Sequence, residues 1–318
     1  GWYGPELETE DVYDEVGKLS PFKTSGYDTI HVQDVIVIAN DDIGVGSKIK
    51  SAIMKYGALA VVYFADVTGA GYYDYEHSSQ YTNESLESNH EVCVIGWDDS
   101  YSKDNFLITP PGDGAWIIKN SWGTQFGDNG ILYISYYDKS FSHGDNQVFG
   151  MILENNIPYN KNYQHDFTWM GNFISLHDLT GSNGNITYAN QFESAADDLI
   201  AAVGTYFNAG EINYTVKIYV NDELKLTQEG VSPYNGYHTV KLNQYIPVRK
   251  GDVFKAVVTS NAMPVVYCEQ SRVHFSENMS FVWYDGKWED LLSGGVIACL
   301  KVYTVNDTSA VVNNNDIA

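Results

Sequence analysis

Two short segments of this 318-residue chain hold side chains whose types and order can do chemistry. In Asn89-His90-Glu91-Val92-Cys93-Val94-Ile95-Gly96-Trp97 an imidazole stands at the mouth of an apolar, strand-like run. In Trp116-Ile117-Ile118-Lys119-Asn120-Ser121-Trp122-Gly123-Thr124 a strand-like run ends in an amide, followed at once by an indole and a glycine. A histidine is the side chain best suited to moving a proton near neutral pH, but a lone histidine beside a strand is more often structural. The amide changes that balance. An Asn oxygen accepting from a ring N–H fixes the tautomer and orientation of an imidazole without adding a second charge, and a neighbouring Trp can keep water off the bond. Other sites that could do chemistry fall away. Gly44-Val45-Gly46-Ser47-Lys48 has neither the P-loop nor the dinucleotide spacing. Asp98, Asp99 and Asp104 lack the order of an EF-hand and read as a solvated turn. No metal or cofactor is therefore expected.

The elements that must hold these groups are legible around them. Ile49, Ala52, Ile53 and Tyr56 recur at helical spacing, with Gly57 where a C-terminal cap belongs. The run Ala58 to Phe64 follows, apolar throughout and expected to be a strand buried on both faces. Further strands are expected at Glu91 to Trp97, Gly114 to Lys119 and Gly130 to Tyr136, between turn-rich stretches. From Tyr163 onward no helical stripe is found, only short alternating runs. In Ile212 to Val220 the even positions are all apolar or aromatic, giving one buried and one wet face, and Val253 to Val258, Met279 to Trp283 and Val296 to Tyr303 are further strand candidates. The fold expected is α+β in the first half and an all-β sandwich in the second. Residues 1–152 would form the first domain, 153–162 a linker, 163–304 the sandwich and 305–318 a disordered tail.

Composition narrows the partners. With 18 basic and 41 acidic residues the net charge is −23, which repels a polyphosphate, so nucleic acid is not expected. The longest apolar run is far short of the ~20 residues that cross a bilayer. Three cysteines, Cys93, Cys268 and Cys299, are too few for a disulfide framework, and Asn-x-Ser/Thr sequons at Asn83, Asn185, Asn213, Asn278 and Asn306 carry little weight in so Asn-rich a chain.

Taken together and in this order, the two segments resemble the catalytic His and Asn regions of papain-like cysteine peptidases. The resemblance runs over about residues 45–138, including the helix, glycine and strand of Ile49 to Val61 and the turn and strand of Trp122 to Ile134. It implies that His90 takes the proton of a cysteine thiol and later protonates the leaving amine, that Asn120 orients it and that Trp122 covers their hydrogen bond. It also implies that Ser88, Asn89 and Val62 line a cleft for a protein or peptide substrate. The chain departs from the pattern at Glu91, where small residues are usual, at Phe126, where Trp is usual, and in the long loop Asp98 to Gly114. The Cys-x-Ser-Cys-Trp segment that carries the nucleophile stands about 130 to 150 residues before the His and Asn in such enzymes, and no such segment occurs in these residues. Cys93, three residues from His90 on an apolar strand, is not expected to replace it. The expectation is a chain lacking its nucleophile lobe and inactive alone.

The second half resembles the lectin-like sandwich that follows the peptidase in prokaryotic surface proteins, over about Tyr163 to Thr304. It implies a secreted or cell-surface setting and a possible surface glycan, with Tyr234, Tyr237 and Trp288 as rings that could stack on sugars. The alternative function is a glycan- or peptide-binding adhesin, or pseudopeptidase, in which the first half is a scaffold.

Overall fold

The computed structural model describes residues 31–38, 48–142, 147–154, 159–166, 170–270 and 275–306. Residues 307–318 of the expected tail, most of the discarded Gly44–Lys48 loop and the middle of the expected linker lie outside them, whereas 305–306 end the strand Leu300–Asn306. Two compact units are present. One is Val35–Ile152; the other gathers His31–Asp34 with the described residues from Leu153 onward, so the strand His31–Ile38 changes unit at Asp34.

In the first unit the helix Lys48–Tyr56 buries Ile49 and Ala52 on one stripe. It stops because Gly57 turns to φ +91° while its N–H caps the carbonyl of Ile53 at 2.9 Å. The strand order is Tyr73–Asp74, Ser79–Gln80, Ile131–Ser135, Ala115–Lys119, His90–Asp98, Leu59–Tyr63, Val148–Glu154. All neighbours for which a register is resolved are antiparallel, except the parallel pair of Ser79–Gln80 with Ile131–Ser135. The expected strands are present, but Leu59–Tyr63 is buried on one face only: Leu59, Val61 and Tyr63 are inside while Ala60 and Val62 are half-exposed. An apolar run therefore does not prove two covered faces, since small and β-branched residues also suit a wet one. With one helix among its described residues, the unit is β-rich.

The second unit is a sandwich. A six-stranded antiparallel sheet runs in the order Glu223–Val231, Asn213–Val220, Val253–Ser260, Ile186–Glu193, Ser280–Tyr284, Lys287–Asp290. A three-stranded sheet contains Asn172–Ser175, Ala262–Tyr267 and Val296–Ala298, and a further ladder joins Asn235–Val248, Asp198–Phe207, Leu300–Asn306 and Lys161–Tyr163. Ile186, Tyr188, Val216, Ile218, Phe254, Ala256, Val258 and Val282 supply the inner face of the six-stranded sheet to a core that includes Ile200, Val203, Val240, Val265 and Leu300. The single strand expected over Val296 to Tyr303 is two. At Cys299 the chain leaves the three-stranded sheet for the other ladder, its N–H bonding Pro264 and its carbonyl accepting from Thr205 Oγ1. One short helix unsuspected from periodicity, Leu176–Thr180, is closed by a capping box between Ser175 and Asp178.

Candidate active site

The site is built where three strands of the first unit present their ends. Antiparallel pairing sets Tyr63 opposite His90 and Cys93 opposite Lys119, which brings the two strand ends bearing His90 and Asn120 side by side. Asn120 leaves its strand with its N–H on the carbonyl of Gly130, closing a turn that returns as Ile131–Ser135. That turn demands glycine at Gly127, which has φ +65° and where a Cβ would sit 2.3 Å from the carbonyl oxygen of Ile131.

His90 Nε2 lies 2.8 Å from Asn120 Oδ1. The same oxygen accepts from the Ser121 N–H at 2.8 Å, which orients the amide and makes Oδ1 an acceptor. Nε2 must then carry the proton, leaving Nδ1 as the basic nitrogen. Asn120 is 5% exposed, and its Nδ2 makes no hydrogen bond among the described residues, so its hold on the ring runs through Oδ1 alone. Trp122 stacks on the imidazole with ring centroids 4.4 Å apart and planes 24° from parallel. It remains 38% exposed, roofing the bond on its solvent side. Phe126, standing where Trp is usual, meets Trp122 edge-on at 4.7 Å and stacks on Tyr73 at 5.2 Å, and Tyr73 meets the exposed Tyr75.

The other expected residues sit beside this pair and are engaged with backbone. Asn89 receives the Ala65 N–H at 2.8 Å and returns its own Nδ2 to the Ala65 carbonyl. Ser88 Oγ donates to Ser140 O at 3.1 Å, and the Val62 carbonyl accepts from Ser142 N. Sequence reasoning missed Asp66. Its carboxylate collects the N–H groups of Ala70, Gly71 and Tyr72, and although burial pushes its pKa up, these bonds outweigh it and hold the carboxyl below the usual range. The signal was there in an Asp followed by Gly69-Ala70-Gly71, a turn composition. Trp116, which opens the segment that carries Asn120, is fully buried against Tyr136 and Phe141 and belongs to the core.

Strand alternation decides what Cys93 can do. His90, Val92 and Val94 share one face, and Glu91, Cys93 and Ile95 point to the other. Burial and the charge of Glu91 also push the Cys93 thiol up, away from the reactive thiolate. Cys299 is buried and its thiol is pushed well up by burial and Asp166; Cys268 is raised by burial as well. Of the loop aspartates, Asp98 accepts from the N–H and hydroxyl of Ser100, Asp99 pairs with Lys50, and Asp104 lies within the short 3-10 turn Lys103–Asn105, its N–H donating to Ser102 Oγ.

Residues 7–170 match the model of the papain family of cysteine proteases. The chain belongs to that family. Residues 163–304 match a lectin like domain, so a papain-family segment and a lectin-like segment follow one another in one chain. Two solved structures resemble the chain over nearly its whole length. The chain is 24% identical to a variant of the clostridial cysteine protease Cwp84 after propeptide cleavage, with a TM-score of 0.75 over 96% of this chain and 79% of that one. It is 23% identical to the cysteine protease and lectin-like domains of Cwp84, a surface layer associated protein of Clostridium difficile, with a TM-score of 0.73 over 96% of this chain and 71% of that one. At these identities the likeness is one of fold. Mouse pro-cathepsin H is 26% identical over 134 residues, 42% of this chain; the chain spans 36% of that relative's length.

Proposed function

We propose that this chain carries the proton-transfer half of a papain-type cysteine endopeptidase, with His90 as base and acid, Asn120 as the residue that positions it and Trp122 as its shield. The observation that supports this reading is the His90 Nε2–H···Asn120 Oδ1 bond at 2.8 Å beneath a stacked indole. With Nε2 committed to the amide, Nδ1 is left to take a thiol proton, stabilise the resulting thiolate as an imidazolium and return the proton to the amine that leaves. Asn120 orients the ring without adding a charge to the site. The unit is read as α+β, because the helix Lys48–Tyr56 stands ahead of the strands that carry the site. Ser88, Asn89 and Val62 are read as rim residues of a peptide cleft, and the setting as secreted or cell-surface.

The thiol must be supplied by a polypeptide with a Cys-x-Ser-Cys-Trp segment, because Cys93 faces away from His90. The purified 318-residue chain is therefore expected to turn over no peptide substrate. In the polypeptide that supplies the segment, in cis or in trans, His90→Ala is expected to cut kcat by roughly 10²–10⁴-fold. Asn120→Ala is expected to cost less, since it removes orientation and leaves the proton acceptor. Turnover by the 318-residue chain that His90→Ala abolishes would overturn the assignment of the thiol, and a folded His90→Ala protein with unchanged kcat/KM would overturn that of the base. A second reading, a glycan- or peptide-binding adhesin or pseudopeptidase, takes its support from the lectin like domain matched over residues 163–304.

A further inference from the structure

The outer face of the six-stranded sheet carries a group of side chains that the proposed chemistry does not use. Its inner face is committed to the core through the even-numbered residues of Ile186–Glu193 and their partners. The opposite face follows from the register. Trp288 pairs with Trp283, Trp283 with Thr187, Thr187 with Thr259 and Thr259 with Thr215, so these five form one row across the sheet. The next row runs Asp290, Phe281, Ala189, Val257 and Lys217, and a third holds Gln191, Lys255 and Tyr219.

The chemistry of this face is uneven along the rows. At the hairpin end Trp283 and Trp288 meet edge-on at 5.4 Å, Phe281 lies 6.5 Å from Trp288, and Trp283 is 41% exposed. Lys255 Nζ stands 5.4 Å from the Phe281 centroid and 5.9 Å from that of Trp288. One strand further in, Thr187 and Thr259 share a hydroxyl hydrogen bond of 2.8 Å. The three rings adjoin one another and so make a contiguous aromatic patch rather than a singly exposed side chain, and it is such patches that mark binding surfaces. Asp290 does not crowd the patch, because its carboxylate is turned into the N–H groups of Asn278 and Leu292.

We infer that Trp283, Trp288 and Phe281, with Lys255 and the Thr187–Thr259 pair, form a saccharide-binding platform for a neutral hexopyranose chain. The inference rests on the lectin-like reading of residues 163–304 and gives it a place. The apolar C–H face of a pyranose covers an indole, while its ring hydroxyls meet the hydroxyl pair and the ammonium that the rings hold in place. Charge selects the class. The chain carries −23, which opposes a polyanion, whereas a hydroxyl-rich neutral chain satisfies one ammonium without confronting the acidic surface. Of the rings expected from sequence, Tyr237 is 7% exposed and its hydroxyl is hydrogen-bonded to that of Tyr303 at 2.6 Å, so it presents little face to a sugar. Of the three rings singled out from sequence, Trp288 alone belongs to the platform.

Affinity electrophoresis of the whole chain through gels holding dextran, laminarin or galactomannan, beside alginate and hyaluronan, tests this, together with an array of neutral and acidic bacterial oligosaccharides. Retention is expected on at least one neutral glycan, falling at least tenfold in Trp283→Ala and Trp288→Ala and less in Lys255→Met, each variant keeping the wild-type thermal transition. The tryptophan fluorescence of the wild type should shift on binding and that of Trp283→Ala should not. Undiminished retention of a folded Trp283→Ala protein would overturn the platform while leaving a glycan partner standing. Retention on acidic glycans alone would overturn the neutral class, and no retention on any glycan would overturn the lectin-like reading on which the inference depends.

Discussion

A two-residue alternation separates the chemistry of the histidine strand into two faces, and thiol labelling reads that separation directly. Cys93 is expected to react with a maleimide slowly at pH 7, because its thiol is pushed up, and at the same rate in His90→Ala as in the wild type. Labelling that disappears with His90→Ala would place the two side chains on one face. Asp66 offers a pH test. Its folded-state pKa is depressed, so its contribution to stability is present above the ordinary carboxylate range and is lost as pH falls through that range towards the folded value. Asp66→Asn, with one accepting oxygen for three N–H donors, is expected to lower stability at pH 7 by about 1–3 kcal/mol. The gap from wild type should shrink in acid, and thermal melts at pH 7 and pH 3 measure both. The pairing of His90 with Asn120 was legible because an amide, an indole and a glycine in that order are scarce apart from such a site. Asp66 and the Phe126–Tyr73 stack were not, since a carboxylate that binds a loop's backbone looks in sequence like any solvated turn.

At the scale of elements, turns and crossing points decide how far the sequence can be read. Strand existence followed from apolar runs and alternation, whereas the switch of sheets at Cys299 depends on tertiary pairing that no local pattern records. The turn from Asn120 to Ile131 should tolerate little. Gly127→Ala drives a methyl into the Ile131 carbonyl at a left-handed φ, so it is expected to lower the thermal midpoint and to release Trp122 from His90, seen as a change in near-UV circular dichroism. In the sandwich, Lys301 and Asp166 form a buried ion pair. Lys301→Met leaves the carboxylate buried and unpaired and is expected to cost about 3–5 kcal/mol, much of which Lys301→Met with Asp166→Leu should restore. A double variant as unstable as the single one would show that the pair is held for another reason.

The whole molecule consists of two units, one of them discontinuous in the chain. The sandwich unit owns a large core and is expected to unfold cooperatively as a separate polypeptide of residues 153–318. Residues 35–152 leave Ile95, Phe149, Met151 and Trp122 exposed and are expected to bind a hydrophobic dye or self-associate. Calorimetry and dye titration of the two pieces test this, and a dye-silent, cooperative 35–152 beside a molten 153–318 would reverse it. The discontinuity itself was not legible, because nothing in the local sequence says that Gln33 Nε2 donates to Thr239 Oγ1 at 2.6 Å, 206 residues away, or that Asp34 accepts the Thr239 N–H.

That long-range contact has a consequence in time. At a synthesis rate of about 5–20 residues per second, Gln33 is added to the chain roughly 10–40 s before Thr239. Throughout that interval Val35–Ile152 can be completed on the nascent chain, while His31–Asp34 waits without its partner strand. A late step of maturation is then the recruitment of a segment made some two hundred residues before its partner, so its yield should depend on translation speed and on chaperones that guard an unpaired strand.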